Sequence, residues 1–288
     1  MRYLFIASHQ KKYPVAILCH VLEVSRSGFY DWQNRAPSAR SRRRADLKAQ
    51  VHVAFMASHE TYGSPRITVE LAEQGVRACR NTIARIMRED QLTARQKRRF
   101  VPRTTDASHD QPIAPNHLDR RFEAGPEAER AWVGDITYIP TKEGWLYLAA
   151  IMDVRTRKIL GWAMADHLRA ELALEALHMA LGRSRIPVEG LMHHSDRGSQ
   201  YACREYREVL EAHGIVCSMS GRGNCYDNAV MESLWATIKT EEVYRRSYAT
   251  RQEAKDRLFE YMELFYNRHR RHSALGYLSP EAFEAQLN

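Results

Sequence analysis

The order of strand-like and helix-like stretches between residues 131 and 241 leaves the chain few folds to choose from. Three runs rich in β-branched and aromatic residues come first, Trp132 to Ile139, Trp145 to Val154 and Lys158 to Met164. The turn before the third run is short, so the three predict a meander. A helix is expected over 170–181, because Leu172, Ala176, Leu177 and Ala180 fall on one side. A fourth strand over 190–195, a helix over 203–213, a fifth strand over 215–219 and a last helix complete the series. Such an order predicts an α/β domain with one five-stranded mixed sheet.

The last helix carries the first chemical signal. Gly221 and Gly223 interrupt the chain before it, and Asp227 or Asn228 is expected to cap it. Val230, Met231, Leu234 and Ile238 form an apolar stripe, with Glu232 and Lys239 at its edge beside Trp235. A lone Glu in that place is an ordinary solvated side chain. Two further acids change its meaning: Asp135 lies inside the first strand and Asp196 lies where the fourth strand gives way to a loop. The three are 61 and 36 residues apart.

These residues belong to longer matching stretches: Trp132-Val-Gly-Asp-Ile-Thr-Tyr-Ile-Pro140, His194-Ser-Asp-Arg-Gly-Ser-Gln-Tyr201, Asn224-Cys-Tyr-Asp-Asn-Ala-Val-Met-Glu-Ser233, and the segment from Tyr266 to Pro280. Through them the chain resembles the DDE transposases with a retroviral-integrase-type catalytic core. Within that group it resembles the downstream, catalytic frame of bacterial insertion sequences that encode two overlapping frames. With Thr61-Tyr-Gly-Ser-Pro-Arg-Ile67 and the stretch from Ala114 to Phe122, the resemblance covers nearly the whole chain. It implies a ribonuclease-H-like core preceded by small all-α domains of helix-turn-helix type. It also implies that Asp135, Asp196 and Glu232 are catalytic and hold two Mg²⁺ ions, with Mn²⁺ as a substitute. Carboxylates are hard ligands suited to such ions. Asp135 and Asp196 are expected to share the metals and Glu232 to complete the second site. Lys239 is expected to touch the element's terminal DNA, and Arg197 to meet phosphate near the site. His193 and His194 read as packed, hydrogen-bonded histidines, and Asp153 as a polar strand end.

Upstream, residues 1–36 read as a small helical unit: helices over 3–10, 15–22 and 26–34, the last capped by Ser25. Either it is a helix-turn-helix, with Arg26 and Ser27 at the front of the recognition helix, or a helical unit that only packs. Residues 37–45 read as a basic linker whose Arg42, Arg43 and Arg44 contact phosphate. A second helical DNA-binding domain is expected over 46–92, with Asp46 and Asn81 as caps, Gly75 as a left-handed helix end and Arg66 as a DNA contact. A Pro-containing linker over 93–130 carries Arg95, Lys97, Arg98 and Arg99, also assigned to DNA. The core is placed at 131–245, and a helical, basic extension at 246–288 brings Arg268, Arg270 and Arg271 in a turn that reads either as a phosphate contact near the site or as a solvated loop.

The balance of the chain agrees with a polyanionic partner: 288 residues carry a formal net charge of +8. Its five cysteines, Cys19, Cys79, Cys203, Cys217 and Cys225, include no C-x-x-C pair, which supports neither a zinc site nor a disulfide framework. No membrane-length apolar run or signal-peptide pattern is found, so a cytoplasmic location, on the nucleoid when DNA is bound, is expected. The function implied is cleavage of element ends and transfer to target DNA by a 3′-hydroxyl, in a homo-oligomer on DNA, with an upstream-frame protein as a possible regulatory or fusion partner. Two alternatives stay open at this point: a ribonuclease-H-like nuclease limited to hydrolysis, and an inactive transposase-derived DNA-binding protein.

Overall fold

Ser25 starts the third of three short helices at the amino terminus, α1 (Arg2–His9), α2 (Val15–Val21) and α3 (Arg26–Asn34), and its side chain accepts the Gly28 N–H at 3.0 Å. A computed structural model describes residues 1–94, 111–221 and 225–287 of the chain. Ile6, Cys19 and Phe29 are buried at the centre of the three helices, with Tyr3, Leu18, Leu22 and Trp32 around them. The next helix, α4 (Ala39–Ala57), corrects the expected linker over 37–45. Arginine and alanine are good helix formers, and neither Gly nor Pro interrupts residues 39–57, so the basic run is helical and Asp46 is an interior residue, not a cap.

The chain divides into two compact units, Met1–Val53 and Ala54–Asn288. The second joins the segments that the sequence separates into a helical domain, a core and a carboxy-terminal extension. It contains α5 (Ser64–Glu73) and α6 (Arg80–Glu89). Gly75, at φ 79°, ends α5 as expected, with Val76 N–H reaching the Leu71 carbonyl at 2.8 Å. The residue before α6 is Cys79, so Asn81 lies inside the helix and does not cap it.

Five strands follow: β1 (Ala131–Thr141), β2 (Gly144–Asp153), β3 (Ile159–Ala165), β4 (Met192–Ser195) and β5 (Val216–Met219). They form one sheet in the order β3-β2-β1-β4-β5. The β1–β2 and β2–β3 pairs are antiparallel, and the β1–β4 and β4–β5 pairs parallel. A three-stranded meander extended by two parallel strands reached through helices is the ribonuclease-H-like arrangement. Asp153 closes the turn between β2 and β3, accepting from Thr156 N at 2.6 Å and Thr156 Oγ1 at 2.9 Å.

The connecting helices are α7 (Ala170–Arg183), α8 (Ser199–Ala202) and α9 (Arg204–Ala212). The expected helix over 203–213 is thus preceded by a separate turn of helix, broken at extended Cys203. Leu172, Ala173, Ala176, Leu177 and Ala180 of α7 are buried in a core shared with Trp132, Ala149, Ile151 and Leu160. Residues 115–119, expected in a linker, run against β5 instead: Ser218 Oγ accepts the His117 N–H at 2.9 Å, and Leu118 is fully buried.

The helix α10 (Ala229–Glu241) leads to α11 (Arg251–Phe259), which continues as a π-helix over Glu260–Tyr266, and α12 (Pro280–Leu287) is last. The wider turn lets Tyr261, Met262, Phe265 and Tyr266 all face inward. Asn267 then covers part of the edge of β3: its Oδ1 accepts Ile159 N–H at 3.0 Å and its Nδ2 donates to the Ile159 carbonyl at 2.9 Å.

Helix α7 lies so close to β3 that only glycine fits at position 161: a Cβ there would stand 2.1 Å from the Ala176 carbonyl oxygen and 2.6 Å from Ala180 N. Both atoms are backbone and cannot turn aside. Gly161→Ala is expected to lower stability by about 1–3 kcal/mol, read as a fall in the urea midpoint with an unchanged m-value.

Candidate active site

Asp135 sits in the middle of β1, paired across from Ala150 of β2, on the strand that lies at the centre of the sheet. Its side chain is half-buried. Oδ1 accepts the Ile136 N–H at 2.8 Å, and Oδ2 accepts the Trp235 Nε1–H at 2.8 Å. Burial and the neighbouring charge of Asp196 push the Asp135 carboxyl up to about 7, against these two hydrogen bonds, and the charge of Glu232 adds to the rise. An acid on β1 is therefore held within electrostatic reach of both other acids.

Asp196 follows β4, which lies beside β1 in parallel register. Its Oδ1 accepts the Gly198 N–H at 2.9 Å, which fixes the turn into α8. Glu232 stands in the first turn of α10, where a negative charge complements the helix dipole. It is exposed, yet local desolvation raises its carboxyl. As placed, the three acids share one neighbourhood without closing up. Among the described residues, no group of three His, Cys, Asp or Glu side chains is arranged to hold a metal ion as it stands.

The flank of α10 comes from its packing. Val230, Met231, Leu234 and Ile238 are all buried, as the stripe predicts, and so is Trp235 beside them. Lys239 lies over the Tyr138 ring, 5.0 Å from its centroid; desolvation lowers its pKa, opposed by the charge of Asp135. The turn before α10 is anchored differently from the expected cap. Asp227 Oδ2 accepts Gly221 N–H at 2.8 Å and Asn116 Nδ2 at 3.0 Å, while Oδ1 accepts Arg120 Nε at 3.1 Å. Asn228 occupies the cap position without a side-chain bond. Burial would raise the Asp227 carboxyl, but the Gly221 and Arg120 hydrogen bonds hold it below the ordinary range.

His193 and His194 are buried in β4, as read from the sequence. His193 Nε2 is 3.0 Å from the Tyr206 hydroxyl, and His194 lies between Ser218 Oγ at 2.8 Å and Ser220 Oγ at 3.1 Å. Desolvation lowers their pKa values to about 3 and about 4. Arg197 Nε donates to the Ser220 carbonyl at 2.6 Å, so it braces the loop after β5.

The assigned basic residues separate into three groups. Arg26 and Ser27 are exposed at the start of α3; on α4, Arg42 and Arg43 are exposed and Arg44 is half-buried. Arg95, Lys97, Arg98 and Arg99 lie outside the described residues. Of the remaining four, Arg270 and Arg271 correct the expectation of phosphate contact. Arg270 and Arg271 are 5% and 7% exposed. Arg270 grips Glu241, the last residue of α10, through Nε–Oε2 at 2.8 Å and Nη2–Oε1 at 2.7 Å. Tyr261 donates to the same Oε2 at 2.7 Å, and half-buried Arg66 is 3.9 Å from Oε1. Arg271 reaches Glu70 at 2.8 Å and Glu73 at 2.6 Å on α5. Arg268 is exposed, 3.8 Å from Glu281. The change from exposed Arg268 and His269 to buried Arg270 and Arg271 comes where the chain leaves the π-helix, a detail that a run of basic letters does not carry.

Sequence reasoning missed two partners of the site, the Trp235 indole N–H and the Glu241–Arg270 pair. The indole was visible as a neighbour of Glu232 on the helix edge. The acceptor it meets lies 100 residues away.

A sheet of this order is that of an integrase-type core, and the acids lie on β1, after β4 and on α10, the helix that follows β5. The family described as "Integrase core domain" matches residues 125–225 and, in a second form, 213–280, and an "HTH-like domain" matches 41–100. The chain is 48% identical over 271 residues to the insertion element IS600 uncharacterized 31 kDa protein of Shigella sonnei, covering 94% of this chain and 98% of that one. It is 41% identical over 287 residues to the transposase InsF for insertion sequence IS3A of Escherichia coli K12, covering 99% and 98%. Among solved structures, it is similar to the catalytic core domain of BIV integrase, with a TM-score of 0.42, 13% identity, and coverage of 55% of this chain and 95% of that one. The HTLV-2 integrase core in complex with magnesium gives a TM-score of 0.41 and 13% identity, with coverage of 53% and 94%. The chain belongs to the insertion-sequence transposase family that carries an integrase core domain.

Removing the Arg270 guanidinium would leave Glu241 buried and short of its bidentate partner. Arg270→Ala is expected to cost about 3–5 kcal/mol of stability, and Arg270→Lys to recover little of it, since a point charge cannot reproduce the fork. Arg268→Ala, at an exposed pair, should stay within about 0.5 kcal/mol of the parent. Equal effects at 268 and 270 in urea denaturation would contradict this division.

Proposed function

We propose that this chain is a DNA transposase that cleaves insertion-sequence ends and joins them to new DNA at a site formed by Asp135, Asp196 and Glu232. The observation that carries the reading is the half-buried Asp135 carboxylate on the central strand of the sheet, within electrostatic reach of Asp196 and Glu232. Like charges so placed repel one another, and a divalent cation would offset the repulsion. The donor set fits such an ion: all three groups are hard oxygen ligands of the kind Mg²⁺ takes, with Mn²⁺ as a substitute. Divalent ions, when bound in pairs, activate an attacking oxygen and stabilise the leaving oxygen of a phosphodiester.

The chain's own groups do the rest. Asp135 and Asp196 hold the shared ligand positions and Glu232 completes the set from α10. Lys239, lying beside Asp135, supplies a cation to a phosphate of the end DNA. The first step is attack by water, which frees a 3′-hydroxyl; the second is attack by that hydroxyl on a new phosphodiester, with no protein–DNA covalent bond. Joining two ends calls for more than one copy of the chain on DNA, and an upstream-frame protein is a candidate partner.

DNA contact is proposed for Arg26, Ser27, Arg42, Arg43 and Arg44, and for the outer face of α6. Arg80, Arg85 and Arg88 are exposed there, and Asn81, Thr82, Arg85 and Arg88 line an open groove. Ile83, Ile86 and Met87 on the opposite side are buried, so α6 presents its arginines from a fixed base.

Asp135→Asn, Asp196→Asn and Glu232→Gln should each reduce cleavage and strand transfer of labelled end DNA by at least about a hundredfold, while gel-shift affinity is kept. Activity at parental level in any one removes that residue from the site, and nicks without joined products would restrict the enzyme to hydrolysis. Binding of end DNA should weaken steeply with salt, with a log–log slope of about 0.9 per phosphate contacted. Replacing Arg85 and Arg88 together by Ala should flatten that slope by up to about 2; an unchanged slope would take α6 out of the interface.

A further inference from the structure

Tryptophan carries one polar atom, a donor with no accepting capacity, and when buried that donor needs a partner. The indole of Trp235 is 7% exposed. Its N–H is directed not to a backbone carbonyl but to Asp135 Oδ2 at 2.8 Å. Asp135 Oδ1 meanwhile accepts the Ile136 N–H at 2.8 Å. With one donor on each oxygen, rotation of the carboxylate about its Cβ–Cγ bond is blocked. Each carboxylate oxygen has two lone pairs, so one on each remains for another ligand.

Trp235 is also three residues after Glu232 on α10, so both side chains stand on one side of the helix, a turn apart. The bond to Asp135 therefore sets the phase and height of α10 against β1. A rotation of the helix that moved Glu232 away from Asp135 would break it. A phenylalanine would keep an aromatic ring there but, smaller and without an N–H, would not impose this register.

We propose that Trp235 is a positioning residue of the active site, whose indole N–H orients the Asp135 carboxylate and registers Glu232 against it for binding a divalent cation. This rests on the reading of Asp135 as a metal ligand. Outer-sphere hydrogen bonds of this type characteristically change metal affinity by about 10–100-fold.

The test uses the full chain and Mn²⁺ alone as probe, with binding followed by electron paramagnetic resonance or calorimetry, beside strand transfer as a function of Mn²⁺ concentration. Trp235→Phe is expected to weaken Mn²⁺ binding by about tenfold or more and to shift the half-maximal Mn²⁺ concentration for strand transfer by the same factor, with end-DNA affinity close to the parent. Incorporating the sulfur isostere benzothienylalanine at position 235 keeps the size and shape of the ring and removes only the N–H, so it gives the answer should the Phe variant lose stability. Weakened Mn²⁺ binding in the isostere supports the proposal. Parental Mn²⁺ affinity in the isostere, with binding lost in Asp135→Asn, overturns it and leaves the metal site standing. Parental Mn²⁺ affinity in Asp135→Asn as well would remove the metal site and this inference together.

Discussion

Three carboxylates drawn to one point repel one another, and the second unit fixes the elements that carry Asp135, Asp196 and Glu232. Two unit charges 4 Å apart at an effective dielectric near 20 oppose one another by about 4 kcal/mol, which an isolated hairpin or helix could not sustain. Here the cost falls on elements that cannot easily retreat. Asp135 is on the central strand, with β2 on one side and β4 on the other. Asp196 is tied to the start of α8 through Gly198. Glu232 rides on a helix whose inner face is buried over its whole length. Burial first, and then the charge of Asp196, push the Asp135 carboxyl up to about 7, so the conflict accounts for part of that rise.

Holding α10 in place requires restraint at both ends. Asp227 secures the turn before it by accepting from Gly221, Asn116 and Arg120. At the far end Glu241 is an acid at a helix carboxy terminus, an unfavourable place for a negative charge. The bidentate Arg270 contact, with Tyr261, turns that liability into a joint between α10 and the chain after the π-helix. Arg271 carries the joint on to Glu70 and Glu73 of α5. The basic turn thus belongs to the support of the site. It also explains why residues 54–288 form one unit although the sequence reads as separate helical and α/β segments.

Much of this is legible in the letters alone. Strand order, the α10 stripe, the helix over 26–34 and the buried histidines follow from local periodicity and from residue types with few alternatives, and the structure has them where they are expected. Pairings between distant segments are not legible. The extent of α4 was obscured because a run of arginine suits both a linker and a helix. Arg270 and Arg268 look alike in sequence, and only the geometry of the chain beyond Tyr266 buries one and exposes the other. The acids themselves could be named from spacing and resemblance, but the indole that orients one of them could not, since its acceptor is on another element.

The central claim is that residues 135, 196 and 232 act as one ligand set. A structure of the chain bound to end DNA with Mg²⁺ tests it most directly. The account predicts ion density at about 2.0–2.1 Å from oxygens of Asp135 and Asp196, with Glu232 swung in from α10 to complete the set. Ions bound to other side chains, or an end phosphate seated away from all three acids, would contradict it.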